Sequence, residues 1–251
     1  ILIKAEGKSI LFSGDLGNQP APLIGPAEVP VQADYCLIES AYGDRLHEGL
    51  DNRYQKLERV ILETLKEGGV LMIPAFALER TQILLLEMHE MIEKHQIPQV
   101  QIFIDSPLAI KLTAVYNLYR DFLKPEVARH FNGVDQLFKF PGLHMTPTTD
   151  DSKAINHAPN PKIIIAGSGM SHAGRILHHE LRYLSDPKST LLIFGYQAEG
   201  SLGRRLLDGA KSVHILGTEV RVRAHIKAIG AYSAHADQRQ LMQWITPLKE
   251  K

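Results

Sequence analysis

Four short apolar runs, Val70 to Pro74, Val100 to Ile104, Ile163 to Ala166 and Leu191 to Phe194, alternate with stretches of helical periodicity, and that rhythm constrains the fold most. Each run is apolar at successive positions rather than at alternate ones, so a strand built from it must be covered on both faces. Strands buried in this way are parallel, and parallel neighbours need crossover connections, usually helices. Leu50 to Glu67 supplies one, with Leu57, Val60, Ile61 and Leu65 at helical spacing and Gly68-Gly69 as its stop. Arg80 to His95, rich in Leu and Met, supplies the next. The expected fold class is α/β, a mostly parallel sheet with helices on both faces.

The remaining segments add detail. Ser9 to Phe12 and Asp34 to Ile38 read as buried strands, separated by a proline-rich loop from Pro20 to Pro30. Leu108 to about Phe140 reads as two helices whose aromatics, Tyr116, Tyr119, Phe122 and Phe131, are expected in the core because their spacing is helical. Thr146 to Pro161 is polar and proline-containing and is expected to be a surface loop. Val220 to Ile226 alternates, which predicts one half-exposed strand carrying Arg221, Arg223 and His225 on a single face. An amphipathic helix with Leu241, Trp244 and Ile245 closes the chain.

Composition excludes several chemistries. With 251 residues the chain can form one large or two modest domains. Its 28 basic and 28 acidic residues balance, so attraction to a polyanion must come from a local patch. Cys36 is the single cysteine, which rules out an internal disulfide framework and a thiolate zinc site. A bound metal would rest on carboxylates and the twelve histidines. No apolar run is long enough to span a bilayer and no signal-peptide pattern is present, so a cytoplasmic location with no membrane partner is expected. The start at Ile1 and the stop at Lys251 both read as cuts from something longer.

Function is sought where the apolar runs stop, since ligand crevices of open α/β sheets lie outside the carboxyl ends of the strands. Ser13-Gly14-Asp15 presents a carboxylate at such an end, or closes an Asx-turn. Glu39-Ser40-Ala41-Tyr42-Gly43 presents a second. Gly167 to Arg175 is a glycine-rich turn entering a helix, suited to an anion or simply to a tight turn; it fits neither a dinucleotide fingerprint nor a nucleophile elbow. Ser233-Ala234-His235-Ala236-Asp237 ends an apolar run on a histidine flanked by small residues, open to a ligand or bonded to backbone, with Asp237 as the N-cap of the last helix.

Taken in order with Pro74 to Arg80, Asp105-Ser106-Pro107 and Gly195 to Arg204, these strand ends closely resemble the β-CASP branch of the metallo-β-lactamase fold, a group of RNA-degrading and RNA-processing nucleases. The resemblance covers essentially the whole chain. It implies a β-CASP domain over residues 44–226. Residues 1–43 and 227–251 are then pieces of a metallo-β-lactamase αββα sandwich. It also implies that Asp15 bridges two zinc ions, that Glu39 is the acidic residue of the first β-CASP motif and that His235 is the histidine of the second. The His-x-His-x-Asp-His motif and the third β-CASP motif fall outside residues 1–251. Ala41 replaces a usual threonine, and Ser171-His172-Ala173 a usual Cys-Thr-Gly.

The function implied for a longer parent is zinc-dependent hydrolysis of RNA phosphodiester bonds, with this piece alone inactive. Asp15 is the metal ligand, and His235 is the general acid for the leaving 3′-oxygen, with Glu39 fixing its tautomer. Arg80, Arg175 and Arg204, with the turns at Ser168 and Gly169, are candidates for holding phosphates, and Ser106, Gln197 and Ser233 for touching the RNA backbone. The expected partner is RNA, with a homodimer left open. A non-catalytic RNA-binding or scaffolding module is the alternative; a small-ester hydrolase is disfavoured because the β-CASP insert has no role there.

Overall fold

The computed structural model describes residues 1–28, 32–47, 52–130 and 137–249. The expected Phe131, and the first residues of the helix read from Leu50, lie outside them.

The centre is a six-stranded sheet built from β4 (Val70–Pro74), β5 (Gln101–Asp105), β6 (Leu143–Met145), β7 (Lys162–Ala166), β8 (Thr190–Phe194) and β11 (His225–Ile229). Their order is β11-β8-β4-β7-β5-β6, and every pairing is parallel. Strands β4, β7 and β8 are buried at every residue. Leu71 and Ile73 of β4 face one hydrophobic cluster with α1 (Arg53–Glu67) and α2 (Arg80–Glu93). Val70 and Met72 face the other, with α6 (Ile176–Tyr183) and α7 (Leu202–Leu207). Two apolar faces on one strand are the reason these runs show no alternation.

Beyond β4 the chain passes to α2 and out to β5; beyond β7 it passes to α6 and back across β4 to β8. Adjacent strands β4 and β7 thus send their connections in opposite directions and to opposite faces, which opens a crevice at their carboxyl ends.

A three-stranded sheet precedes this core: β1 (Leu2–Ala5) pairs antiparallel with β2 (Lys8–Phe12), and β2 pairs parallel with β3 (Tyr35–Leu37). Strand β3 was expected to be buried, but Tyr35 is 59% and Leu37 51% exposed, because no described residue covers that side. The chain closes with α8 (Gln238–Ile245), which buries Leu241 and Trp244.

Three other expectations are corrected. Residues 146–161 are not a plain loop. Thr148 and Asp151 form a reciprocal capping box that starts α5 (Thr149–Ala154), and a 3-10 turn, Ile155–His157, follows. The segment from Val220 to Ile226 is not one strand. β9 (Ser212–Ile215) and β10 (Thr218–Arg221) form a hairpin whose turn residues Leu216 and Gly217 both have positive φ, and β11 belongs to the main sheet. The break comes where the amides of Arg223 and Ala224 both donate to the Leu184 carbonyl, so Arg221, Arg223 and His225 share no strand face. Residues 226 and 227, where the domain boundary is expected, are both part of β11.

Of the aromatics expected in the core, Tyr116 packs against it but Tyr119 and Phe122 are exposed. α3 (Pro107–Leu118) stops before them, and the following 3-10 turn, Arg120–Phe122, does not continue its face. α4 (Pro125–His130) is the second helix of that region. No helix among the described residues is long and apolar enough to cross a membrane.

Candidate active site

The ends of β2 and β3 are tied together before they reach the site. The Ser13 amide donates to the Leu37 carbonyl at 2.9 Å, and the Glu39 amide donates to the Ser13 hydroxyl at 3.0 Å. Gly14, at φ 60, turns the chain so that Asp15 leaves the strand with its side chain 78% exposed. Glu39, by contrast, is almost enclosed, with 8% of its side chain exposed. Its Oε1 accepts from the Leu16 amide at 2.5 Å, and its Oε2 accepts from His235 Nδ1 at 2.8 Å.

His235 follows β11 through a 3-10 turn, Gly230–Tyr232. Its amide donates to Ser233 Oγ at 3.2 Å, and its carbonyl accepts from His47 Nε2 at 2.8 Å. Two residues on, the Asp237 carboxylate accepts from the amides of Gln240 and His47, which caps α8 and anchors the loop on both sides. Asp15 Oδ1 lies 3.9 Å from His235 Nδ1, and donor atoms of Asp15, Glu39 and His235 all lie within 4.8 Å of one another.

Asp15 and His235 border a cleft of about 550 Å³, walled by Asp15 and the loop to Ala27 on one side, by Phe76, Glu79 and Arg80 on another, and by Ala234 and His235. Burial pushes the Glu79 carboxyl up, against the pull of Arg80, and pushes the Arg80 guanidinium down.

A carboxylate open to the cleft beside an imidazole is a donor set zinc accepts, and Asp15 fits that role. Glu39 fits it less well, since each of its oxygens already accepts a hydrogen bond. With Glu39 holding Nδ1–H, the other ring nitrogen of His235 is the one that can exchange a proton with a ligand.

The other expected contacts divide by place. Ser233 sits under His235, and Arg80 reaches the same cleft. Ser106, Ser168, Gly169 and Arg175 gather around a second hollow of about 480 Å³ at the ends of β4, β5 and β7. Gly169 is required there, because a Cβ would come 2.3 Å from the Phe76 ring. Ser106 caps α3, and Ser168 Oγ accepts from the amides of His172 and Ala173.

Arg175 is not a free phosphate donor. Its guanidinium donates to Asp105 at 2.8 Å, to the Thr146 carbonyl at 2.7 Å and to the Pro147 carbonyl at 3.2 Å. Gln197 Nε2 donates to the carbonyls of Gly169 and Tyr196, while its Oε1 has no hydrogen-bond partner among the described residues. Arg204 pairs at the surface with Asp208, in a third hollow lined also by Tyr42, Arg45 and His47.

Three groups escaped the sequence reading. Asp105 is fully buried and accepts from His179, Ser152, Thr146 and Arg175; burial alone would raise it, but these bonds hold it at about 2. Glu180 is fully buried with the Ser171 hydroxyl as its partner, and burial pushes it up to about 8. Glu79 stands in a left-handed backbone conformation, φ 62. Only Asp105 gave a signal, by ending an apolar run.

Fold and site together define an α/β protein with a carboxylate–histidine centre beside a cleft, assembled from strand ends. Residues 81–206 match the family model of the Beta-Casp domain, and residues 219–251 match that of the Zn-dependent metallo-hydrolase RNA specificity domain. The chain belongs to the Beta-Casp family.

It is 37% identical over 245 residues to Ribonuclease TTHA0252 of Thermus thermophilus, covering 98% of this chain and 56% of that protein. It is 34% identical over 254 residues to an RNase J-like protein of Methanocaldococcus jannaschii, covering 98% and 56%. Against Cleavage and polyadenylation specificity factor 73 of Drosophila melanogaster it is 31% identical over 255 residues, covering 99% and 36%. The chain thus spans about half the length of the first two relatives.

Proposed function

We propose that this chain is the β-CASP portion of a zinc-dependent ribonuclease that hydrolyses RNA phosphodiester bonds, with residues up to about Gly43 and from about Lys227 joining it to a metallo-β-lactamase domain. The observation that carries this is the meeting of Asp15, Glu39 and His235, whose donor atoms lie within 4.8 Å of one another, with Asp15 and His235 bordering one cleft. The names of the relatives, two of them ribonucleases, support RNA as the substrate.

Zinc, when bound, would lower the pKa of an attacking water and stabilise charge on the phosphate. Asp15 would be one of its ligands, a second ion being expected in the complete protein. His235 would protonate the leaving 3′-oxygen from the ring nitrogen opposite Nδ1. Glu39 orients it: the bond from Nδ1–H fixes the tautomer, and the Leu16 amide keeps the carboxylate from rotating away. The hollow at Ser106, Ser168 and Gly169 lies beyond Phe76, which borders both spaces, and would take RNA running on from the cleft.

The test is hydrolysis of labelled RNA by the longer zinc-loaded protein containing this chain, beside a thioester and a β-lactam. Turnover of RNA alone supports the reading; failure to cut RNA with zinc in place sinks it.

A further inference from the structure

Arg80, the first residue of α2, is 6% exposed and borders the cleft that holds Asp15 and His235. Its guanidinium lies 4.4 Å from the centre of the Phe76 ring, its Nε has no hydrogen-bond partner, and no carboxylate among the described residues is within ion-pair distance of it. A buried cation without a partner is costly for a fold to keep, so the missing counter-charge is expected from outside the chain.

The backbone around Arg80 is shaped for the same purpose. Glu79, at φ 62 and ψ −56, turns the chain sharply, and the Arg80 amide closes that turn on the Leu78 carbonyl at 2.7 Å. The side chains of Thr81 and Gln82 donate backwards to the carbonyls of Phe76 and Ala77, which fixes the loop against the first turn of the fourteen-residue helix α2. The Arg80 side chain is thereby held on one wall of the cleft.

We infer that the Arg80 guanidinium forms an anion subsite for one RNA backbone phosphate next to the reacting one. This rests on reading the cleft as an RNA-hydrolysing site, but the subsite is a binding feature and is tested by binding.

The experiment uses the longer protein on a His235→Ala background, which stops turnover, and a fluorescent single-stranded oligoribonucleotide in which one linkage at a time is made a neutral methylphosphonate. At one linkage, loss of charge weakens binding by about tenfold, the effect of removing a hydrogen bond to a charged group. In Arg80→Met that position effect vanishes. A position effect that survives Arg80→Met overturns the subsite, as does the absence of any position effect. Thermal denaturation without RNA guards against a folding artefact: Arg80→Met melts at or above the wild-type temperature if the cation waits for a ligand, and a large fall makes it structural and overturns the proposal. Cleavage without an Arg80-dependent position effect removes the subsite and leaves the hydrolytic reading; the position effect without cleavage does the reverse.

Discussion

Glu39 Oε2 and His235 Nδ1 stand 2.8 Å apart although 196 residues separate them in the chain. One belongs to the loop after β3 of the small sheet and the other to the loop after β11 of the large one, so this bond joins the two sheets where the cleft opens. A histidine held in this way has one nitrogen committed to orientation and one available for chemistry.

His235→Ala in the longer protein is expected to reduce RNA cleavage by about 10²–10⁴-fold, the range for a general acid, with zinc content unchanged. Glu39→Gln is expected to cost less, because the ring stays but its tautomer is no longer fixed. Metal analysis beside the rate checks both, and loss of zinc in His235→Ala would show that the imidazole is a ligand instead.

Asp15→Ala is expected to lower both zinc occupancy and rate, since the carboxylate is exposed to the cleft rather than engaged in scaffolding. Full metal content in this variant would contradict its assignment as a ligand.

Asp105→Asn is expected to destabilise the fold by about 3–5 kcal/mol, because it leaves Arg175 and His179 facing a neutral group inside the protein. The acid limb follows from the same carboxyl. Its folded value, about 2, lies below the ordinary 3.8, so its contribution is fully present above 3.8 and is lost as pH falls through about 2. Denaturant titrations at several acid pH values should show that limb in the wild type and a weaker one in Asp105→Asn.

Glu180 has the opposite sign. Its folded value is raised to about 8 from 4.5, so the stability tied to its protonated form is complete below 4.5 and drains away as pH rises to about 8. Glu180→Gln should therefore match the wild type near pH 4 and melt higher above pH 8. Lower melting at every pH would mean that the carboxyl is needed for more than its proton.

Gly169→Ala is expected to cost about 1–3 kcal/mol through overpacking, since the new methyl would meet the Phe76 ring. Phe76→Ala in the same protein should recover part of that loss, and additive costs would show that the two sites are not in contact.

Much of the fold was legible because burial on both faces leaves a mark in the sequence. Val70 to Pro74 and Leu191 to Phe194 appear in the structure as the strands expected, and Gly68 ends α1 with a positive φ, as a helix stop requires. What escaped depends on partners far along the chain. Leu143–Met145 is a strand only because β5 offers it an edge, and Val220 to Ile226 breaks only because the Leu184 carbonyl draws in two of its amides. The candidate site divided the same way: strand ends marked Asp15, Glu39 and His235, while nothing local showed that the Arg175 guanidinium and Gln197 Nε2 would donate to groups within the fold.

The sequence by itself determined the alternation of buried strands and helices and the residue types set at their carboxyl ends, because hydrophobic period and turn chemistry are local properties of a chain. Only the tertiary structure decided which of those residues share a cleft, that Arg80 is buried with no carboxylate among the described residues within ion-pair distance, and which carboxyls are forced away from their ordinary charge, because distance and desolvation arise when remote segments pack together.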